Sequence, residues 1–251
     1  MDSYDQWADL YDLQLPPKED LPFYLRQAEG VRGAILELAA GTGRVSIPLV
    51  QAGHRVVALD RSWGMLERFR EKLRVLPPVL QRNVQLVQGD MRAFAFRERF
   101  ELILIPYNAF IHLLTQGDQL RVLRHLRGHL APGGKGIIDL FSYDPARAAL
   151  NYTYDLSVED PATGETIHRY SLIERDMSRQ QAQITHLYDI VGPNGTVRRR
   201  SVRHEIRYTF RYEMELLLEK AGLRPGAIYG DYEAGPYERD SPQMIFQVEA
   251  G

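Results

Sequence analysis

The chain has 251 residues, 44% hydrophobic and 25% charged, with 31 basic against 33 acidic side chains and a net charge of −2. These figures describe a globular protein of one α/β domain, or a domain of ~150 residues plus an addition, and supply no field that would draw nucleic acid. With no cysteine, no apolar run near the ~18 residues of a membrane span, and a start, MDSYDQWADLYD, lacking the regions of a secretory signal, disulfides, thiolate metal sites and membrane insertion are excluded and a cytoplasmic protein is expected.

Trp7, Leu10 and Tyr11 at helical spacing predict a helical lead-in, broken at Pro16-Pro17 and followed by a second apolar-spaced stretch, Leu21 to Ala28. From residue 34 the pattern alternates strand, loop and helix. Ala34–Ala39 is a short apolar run ending in a glycine loop, Arg44–Ala52 a helix closed by Gly53, and Arg55–Asp60 the next strand. Ser62 is an N-cap for a helix Trp63–Val75 that stops at Pro77-Pro78. Val84–Gln88 and Phe100–Ile105 are strands, Thr115–Leu130 a helix ending at Pro132-Gly133-Gly134, and Lys135–Phe141 a fifth strand. Nearly all-apolar strands separated by helices indicate a parallel sheet covered on both faces.

Residues 151–211 differ. Ile167–Asp176, Gln183–Val191 and Val197–Phe210 are β-rich, with a hairpin turn at Pro193-Asn194-Gly195. They predict an antiparallel platform inserted between a core of 1–150 and a return to the core at 212–251, where Glu213–Ala221 is helical and Ala227–Gly230 and Met244–Val248 complete the sheet. The platform is expected to cap an acceptor site or make a homodimer contact.

The most informative stretch runs Ile35-Leu36-Glu37-Leu38-Ala39-Ala40-Gly41-Thr42-Gly43-Arg44. A glycine loop between strand and helix lets backbone N–H groups approach a ligand closely. As a dinucleotide fingerprint it is incomplete, because Ser46 stands at the third glycine position. Glu37, ending the first strand, would repel a pyrophosphate but attract a cation, which argues against a nicotinamide dehydrogenase. S-adenosyl-L-methionine offers both an ammonium and a sulfonium. Asp60 ends the second strand, where a carboxylate can accept both ribose hydroxyls; Asp90, in Gln88-Gly89-Asp90-Met91, can accept an adenine amino group beside Met91.

Glu37–Arg44, Asp60 in Ala-Leu-Asp, Gly89-Asp90-Met91 and the Leu130–Gly134 turn occur in the order and spacing that resemble class I S-adenosylmethionine-dependent methyltransferases. The similarity covers roughly residues 30–141. It implies a doubly wound, mostly parallel seven-stranded Rossmann-like sheet with one reversed strand. It further implies that the loop around Gly41 and Gly43 holds the methionine part, Asp60 the ribose and Asp90 the adenine. Ala39, Thr42, Arg44, Arg61, Met65 and Met91 are the accompanying cofactor contacts. Tyr11-Asp12 resembles the pair that precedes the fold in many small-molecule methyltransferases, where the aromatic helps close over the cofactor; Tyr4, Trp7 and Tyr11 equally suit packing of the first helix onto the sheet.

Acceptor-side groups belong after the fourth strand, in Ile105-Pro106-Tyr107-Asn108-Ala109-Phe110-Ile111-His112-Leu113. This is not the motif of amino-methylating nucleic-acid enzymes, which turns the reading towards a small-molecule acceptor. Tyr107 can flank the cofactor, Asn108, His112 and Tyr143 can reach the acceptor, and a neutral His112 imidazole suits proton abstraction, with Tyr107 as its catalytic companion. The alternative for His112 is a ring satisfied by backbone groups. Arg199, Arg203, Arg207 and Arg211 fall on one strand face, as an anion or RNA clamp or as a side paired with Glu174 and Asp189. Tyr229–Glu233 combines aromatic and acidic groups that suit an amine pocket. The seven histidines are scattered, with no metal-ligand spacing. Alternatives to small-molecule methyl transfer are an RNA or protein methyltransferase using the Arg face, and a non-catalytic cofactor-binding module.

Overall fold

Apolar residues on both sides of a strand demand cover on both sides, and the helices between the strands supply it. The computed structural model describes residues 3–14, 19–143 and 151–251. In chain order the elements are α1 (Ala8–Tyr11), α2 (Leu21–Ala28), β1 (Ala34–Leu38), α3 (Ser46–Gln51), β2 (Arg55–Asp60), α4 (Trp63–Arg74), α5 (Pro78–Gln81), β3 (Val84–Gln88), β4 (Phe100–Ile105), α6 (Gln116–His129) and β5 (Leu130–Phe141). Then come β6 (Tyr152–Glu159), β7 (Thr166–Asp176), β8 (Gln181–Val191), β9 (Val197–Arg207), α7 (Arg211–Ala221), β10 (Leu223–Tyr229) and β11 (Gln243–Ala250). Single turns of 3-10 helix cover Ser3–Gln6, Asp12–Gln14 and Ala109–His112.

The seven-stranded sheet has the order β10-β11-β5-β4-β1-β2-β3. β1 pairs in parallel with β2 and β4, and β2–β3 and β4–β5 extend the parallel run. β11 alone is reversed, antiparallel to β5 and β10. Strand order therefore turns round at β1, and the loops after β1 and β4 open a crevice between them, the place where such sheets bind ligands. β1 is buried along its whole length. One apolar cluster, with Phe100, Phe110 and Phe246, fills one face; a second, with Phe23, Tyr24 and Phe69, fills the other.

The helix starts at Ser62 and Thr115 hold as read: each side-chain oxygen accepts from the backbone N–H three residues on. The Pro132-Gly133-Gly134 turn instead lies inside β5, as an irregular stretch between the Leu130–Phe100 and Lys135–Leu102 pairs. The expected break at Pro16-Pro17 lies outside the described residues.

The platform is a separate four-stranded antiparallel sheet, β6-β7-β8-β9. Its first strand escapes the sequence pattern because Tyr152 and Tyr154 stay more than half exposed (56% and 55%). Period-two alternation sends Ile167 of β7, Tyr188 and Ile190 of β8 and Val202 of β9 inward against Trp7 and Leu10. The amino-terminal turns are thus held between platform and core.

Arg199, Arg203 and Arg207 share one face of β9 as expected, but Arg211 does not join them. β9 ends at Arg207, so Arg211 belongs to α7, where it pairs with Glu215. Arg199 is paired with Asp189 at 2.6 Å, not with Glu174. Arg207 is buried and bonded to Glu213 of α7 at 2.7 Å and to the Arg179 carbonyl at 3.0 Å. Burial opposes charge on Glu213, but hydrogen bonds from Gln116, Arg207 and Gln180 outweigh it and hold the carboxyl below its ordinary range. Arg207→Leu strands that carboxylate and is expected to cost about 3 kcal/mol in urea unfolding. Arg199→Leu, losing an exposed pair, is expected to leave the urea midpoint nearly unchanged.

Candidate active site

Two cavities meet at the carboxyl edge of the parallel strands. The first, of about 560 Å³, is lined by the β1 loop, the ends of β2 and β3, and the turn after β4. In the β1 loop Ala39 and Gly41 have positive φ (58° and 56°), and the space where a Gly41 side chain would stand is open. Gly41 N–H donates to Asp60 Oδ2 at 2.7 Å, and Ser62 N–H to Asp60 Oδ1 at 2.8 Å. Asp60 is thereby fixed on the cavity wall.

Gly43 serves differently. A Cβ there would lie 2.3 Å from the Phe69 ring, and the residue is not part of the cavity lining. Its glycine lets α4 pack against the loop. The other expected contacts, Tyr11, Glu37, Ala39, Thr42, Arg44, Asp60, Arg61, Met65, Asp90, Met91 and Tyr107, all line the cavity.

Glu37 is 1% exposed, and its carboxylate accepts the Ser46 hydroxyl. Burial pushes its pKa from 4.5 up to about 8, against opposition from the Ser46 bond and the Arg44 charge. Ser46, the residue that spoils a dinucleotide fingerprint, is therefore the support of the acidic one. Arg44 forms a two-bond pair with Asp20, 2.6 Å each, and its guanidinium lies 4.3 Å over the Tyr107 ring. Asp90 is clasped by Arg92 through its backbone N–H at 2.8 Å and its guanidinium at 2.5 Å, which holds the carboxyl below its usual range.

The turn after β4 is strained: Tyr107 and Asn108 both have positive φ (49° and 62°). β5 holds it. Asp139, fully buried, accepts Tyr107 N–H at 3.0 Å on Oδ2, while its carbonyl accepts Asn108 N–H at 3.2 Å. The same Oδ2 takes the hydroxyls of Tyr24 (2.5 Å) and Tyr232 (3.0 Å). Asn108 Oδ1 accepts Phe141 N–H at 2.5 Å, which commits that oxygen to the scaffold although the residue borders the second cavity. Tyr232 belongs to this support, and none of Tyr229–Glu233 lines either cavity, so that segment is not the expected amine pocket.

The second cavity, about 440 Å³, lies between the edge of the core and the platform. Tyr4, Tyr11, Tyr107, His112 and His204 belong to the walls of both. Tyr143 lines the second, its ring 4.1 Å from that of Tyr208. His112 Nε2 lies 2.8 Å from the Tyr4 hydroxyl and Nδ1 3.4 Å from the Glu205 carbonyl. Both earlier readings of this ring meet here, on the boundary yet partnered. His204 stands 5.7 Å from His112 and 5.1 Å from His186, centre to centre. The sequence reading missed His186 and His204. Their signal was alternation: both share the inward register of Tyr188, Val202 and Ile206. Even so, no group of three metal-ligating side chains forms among the described residues.

The amino-terminal turns close the first cavity. Asp5 accepts from Ser62 Oγ (2.6 Å) and Gly64 N–H (2.9 Å), and Asp12 from Thr42 Oγ1 and Lys72 Nζ, both 2.6 Å. Tyr4, Trp7 and Tyr11 all line the second cavity and all pack against the platform cluster, so the two readings of the lead-in aromatics hold together.

A family described as "Methyltransferase domain" matches residues 35–134. Cypemycin N-terminal methyltransferase of a Streptomyces species is 28% identical over 98% of this chain and 97% of its own. The structure of the CcbJ methyltransferase from Streptomyces caelestis superposes with a TM-score of 0.83 at 26% identity, covering 99% of this chain and 98% of that one. A dTDP-3-amino-3,6-dideoxy-α-D-glucopyranose N,N-dimethyltransferase of Streptomyces fradiae is 25% identical over 86% of this chain and 83% of its own. The chain is a class I S-adenosylmethionine-dependent methyltransferase. Its first cavity fits that cofactor: a buried carboxylate for an ammonium, an anchored Asp60 for hydroxyls, an open Gly41, and Leu59, Met65 and Met91 for an apolar ring.

In this methyltransferase Glu37 is a cost to folding that ligand binding repays. A carboxyl whose folded pKa is raised leaves the native state holding the proton more tightly, so stability falls as pH rises from 4.5 through about 8. Glu37→Gln is expected to raise the melting temperature of the ligand-free protein at pH 8 by several degrees, with the gain vanishing near pH 4.5, while cofactor binding is lost in calorimetry. Gly43→Ala is expected to lose about 2–4 kcal/mol of stability. Gly41→Ala should instead lose cofactor affinity, with a smaller cost in urea unfolding.

Proposed function

We propose that the acceptor is a small-molecule amine and that its nitrogen is the atom methylated. The observation that carries this reading is the second cavity: it meets the cofactor cavity across a wall of tyrosine and histidine rings, groups that suit an amine. The named activities of the similar proteins, on a peptide N-terminus and on an amino sugar, agree with it. The guanidiniums of Arg199, Arg207 and Arg211 are engaged within the chain and Arg203 lines the first cavity, which weakens the feature that favoured RNA.

Glu37, Asp60 and Asp90 with Met91 are the residues that would hold the ammonium, ribose and adenine of S-adenosylmethionine. When bound, the cofactor supplies a methyl group already made electrophilic by its sulfonium. The protein then has to align a nitrogen lone pair, exclude water and dispose of a proton. Tyr107 stands where the two cavities meet, under Arg44 and anchored by Asp139, and serves to align the two reactants. Burial raises the pKa of both Tyr107 and Tyr11, so these phenols remain neutral donors. His112 presents a carbonyl-facing Nδ1, which is therefore the protonated nitrogen, and an Nε2 that accepts from Tyr4. When an acceptor displaces the Tyr4 hydroxyl, Nε2 is the base that takes the amine proton.

Incubation with S-adenosylmethionine and a panel of amines and matched phenols tests this. Release of S-adenosylhomocysteine with a methylene mass gain on amines only is expected. His112→Asn is expected to lower kcat about 10²-fold with cofactor affinity unchanged. Methylation of phenols alone would replace the nitrogen reading with an oxygen one.

A further inference from the structure

The platform carries a hydrogen-bonded series that the reading above does not use. β6 and β7 slip in register between Tyr154 and Leu156, so Asp155 stands at a bulge. Bulges re-aim side chains, and here the Asp155 carboxylate accepts the Ser171 hydroxyl and Arg169 Nε, the latter at 2.9 Å. Ser171 sits directly opposite His186 in the β7–β8 register, its Oγ 2.8 Å from His186 Nδ1.

The proton positions follow. A carboxylate bound by a guanidinium has no proton to give, so Ser171 donates its only hydrogen to Asp155. Nδ1 of His186 must therefore be the donor to Ser171 Oγ, which fixes the ring as the Nδ1–H tautomer and leaves Nε2 as a bare lone pair. Among the described residues His186 makes no other hydrogen bond, and it lines the second cavity.

We propose that His186 is the hydrogen-bond acceptor for the N–H of the acceptor amine, with Asp155 and Ser171 as positioning residues that fix its tautomer. The proposal rests on the amine reading above and narrows it to an amine carried on a bulky apolar or aromatic scaffold. Besides Arg169, Arg175 and a few polar groups, the wall carries Ile111, Ile173, Ile184, Tyr143 and Tyr208. A volume of about 440 Å³ suits a ligand far larger than free glycine. Burial, assisted by the Arg169 charge, lowers the His186 pKa to about 4, so the ring is neutral at working pH and not a proton store. His186 orients the nitrogen; as the N–C bond forms and the S–C bond breaks, the sulfonium becomes a thioether and the amine proton leaves by another group.

Two measurements test it. Two-bond proton–nitrogen spectra of the ¹⁵N-histidine-labelled protein are expected to show His186 as the Nδ1–H tautomer, lost or mixed in Ser171→Ala. With S-adenosylhomocysteine bound, 2-phenylethylamine is expected to shift the His186 Nε2 resonance, and its affinity is expected to fall about tenfold in His186→Phe and in Ser171→Ala. S-adenosylhomocysteine affinity should stay as in wild type, which shows that both variants fold, and glycine should not shift the resonance. An Nε2–H tautomer in wild type, or a tautomer untouched by Ser171→Ala, overturns the relay. Equal binding of 2-phenylethylamine by wild type and His186→Phe, or none by wild type, overturns the contact. Failure of the amine reading itself is distinguishable: the relay tautomer is present, but no amine of the panel is methylated.

Discussion

The acceptor wall of this methyltransferase depends on one buried carboxylate. Tyr107 and Asn108 occupy a left-handed conformation that disfavours side chains by about 1–2 kcal/mol each. It persists because Asp139 offers a side-chain oxygen to one N–H and its carbonyl to the next. Burial pushes the Asp139 pKa up, while bonds from Tyr24 and Tyr232 pull the other way, and Oδ1 remains buried without a partner. The cost is accepted in return for a fixed ring: with its backbone clamped from β5 and its face under Arg44, Tyr107 has little freedom to drift between donor and acceptor.

Charge is distributed unequally across the site. The donor side concentrates carboxylates, with Glu37 fully enclosed and Asp60 and Asp90 each held by donors from the protein, as a cationic ligand requires. On the acceptor side His186 and His204 are kept neutral by burial, with pKa values near 4 and 3. Arg169 and Arg175 border that side, the first bonded to Asp155 and the second to Asn151 Oδ1. A nitrogen nucleophile must be uncharged to attack, and a wall of neutral rings and arginines does not reward protonation as a carboxylate would.

How much of this was legible in the sequence follows from what each residue's role depends on. The cofactor side is local: Glu37, Gly41, Asp60 and Asp90 each lie at a strand end, and strand ends are marked by apolar runs stopping at glycine or acid. At Gly43 the need for helix packing was not legible, because a glycine that serves packing and one that serves ligand approach look alike until Phe69 is seen against it. The arginine spacing was legible as a period, but the strand ended before Arg211, and α7 and the turn at Arg179 cover Arg207. The acceptor side is assembled from β6 to β9, the Ala109–His112 turn and the amino-terminal turns. The meeting of His112, His186 and His204 is a product of pairing register, which no single stretch of sequence states. Asp155 is harder still, since its aim depends on a bulge.

The amino-terminal turns carry a consequence for both cavities. Tyr4 and Tyr11 are shared by both cavity walls, and the segment that bears them is moored to α4 and the β1 loop by Asp5 and Asp12. Any excursion of that segment unseals both compartments in the same event. The two cavities are therefore coupled through one moored segment, and loosening the Asp5 or Asp12 bonds would alter both walls together rather than one at a time.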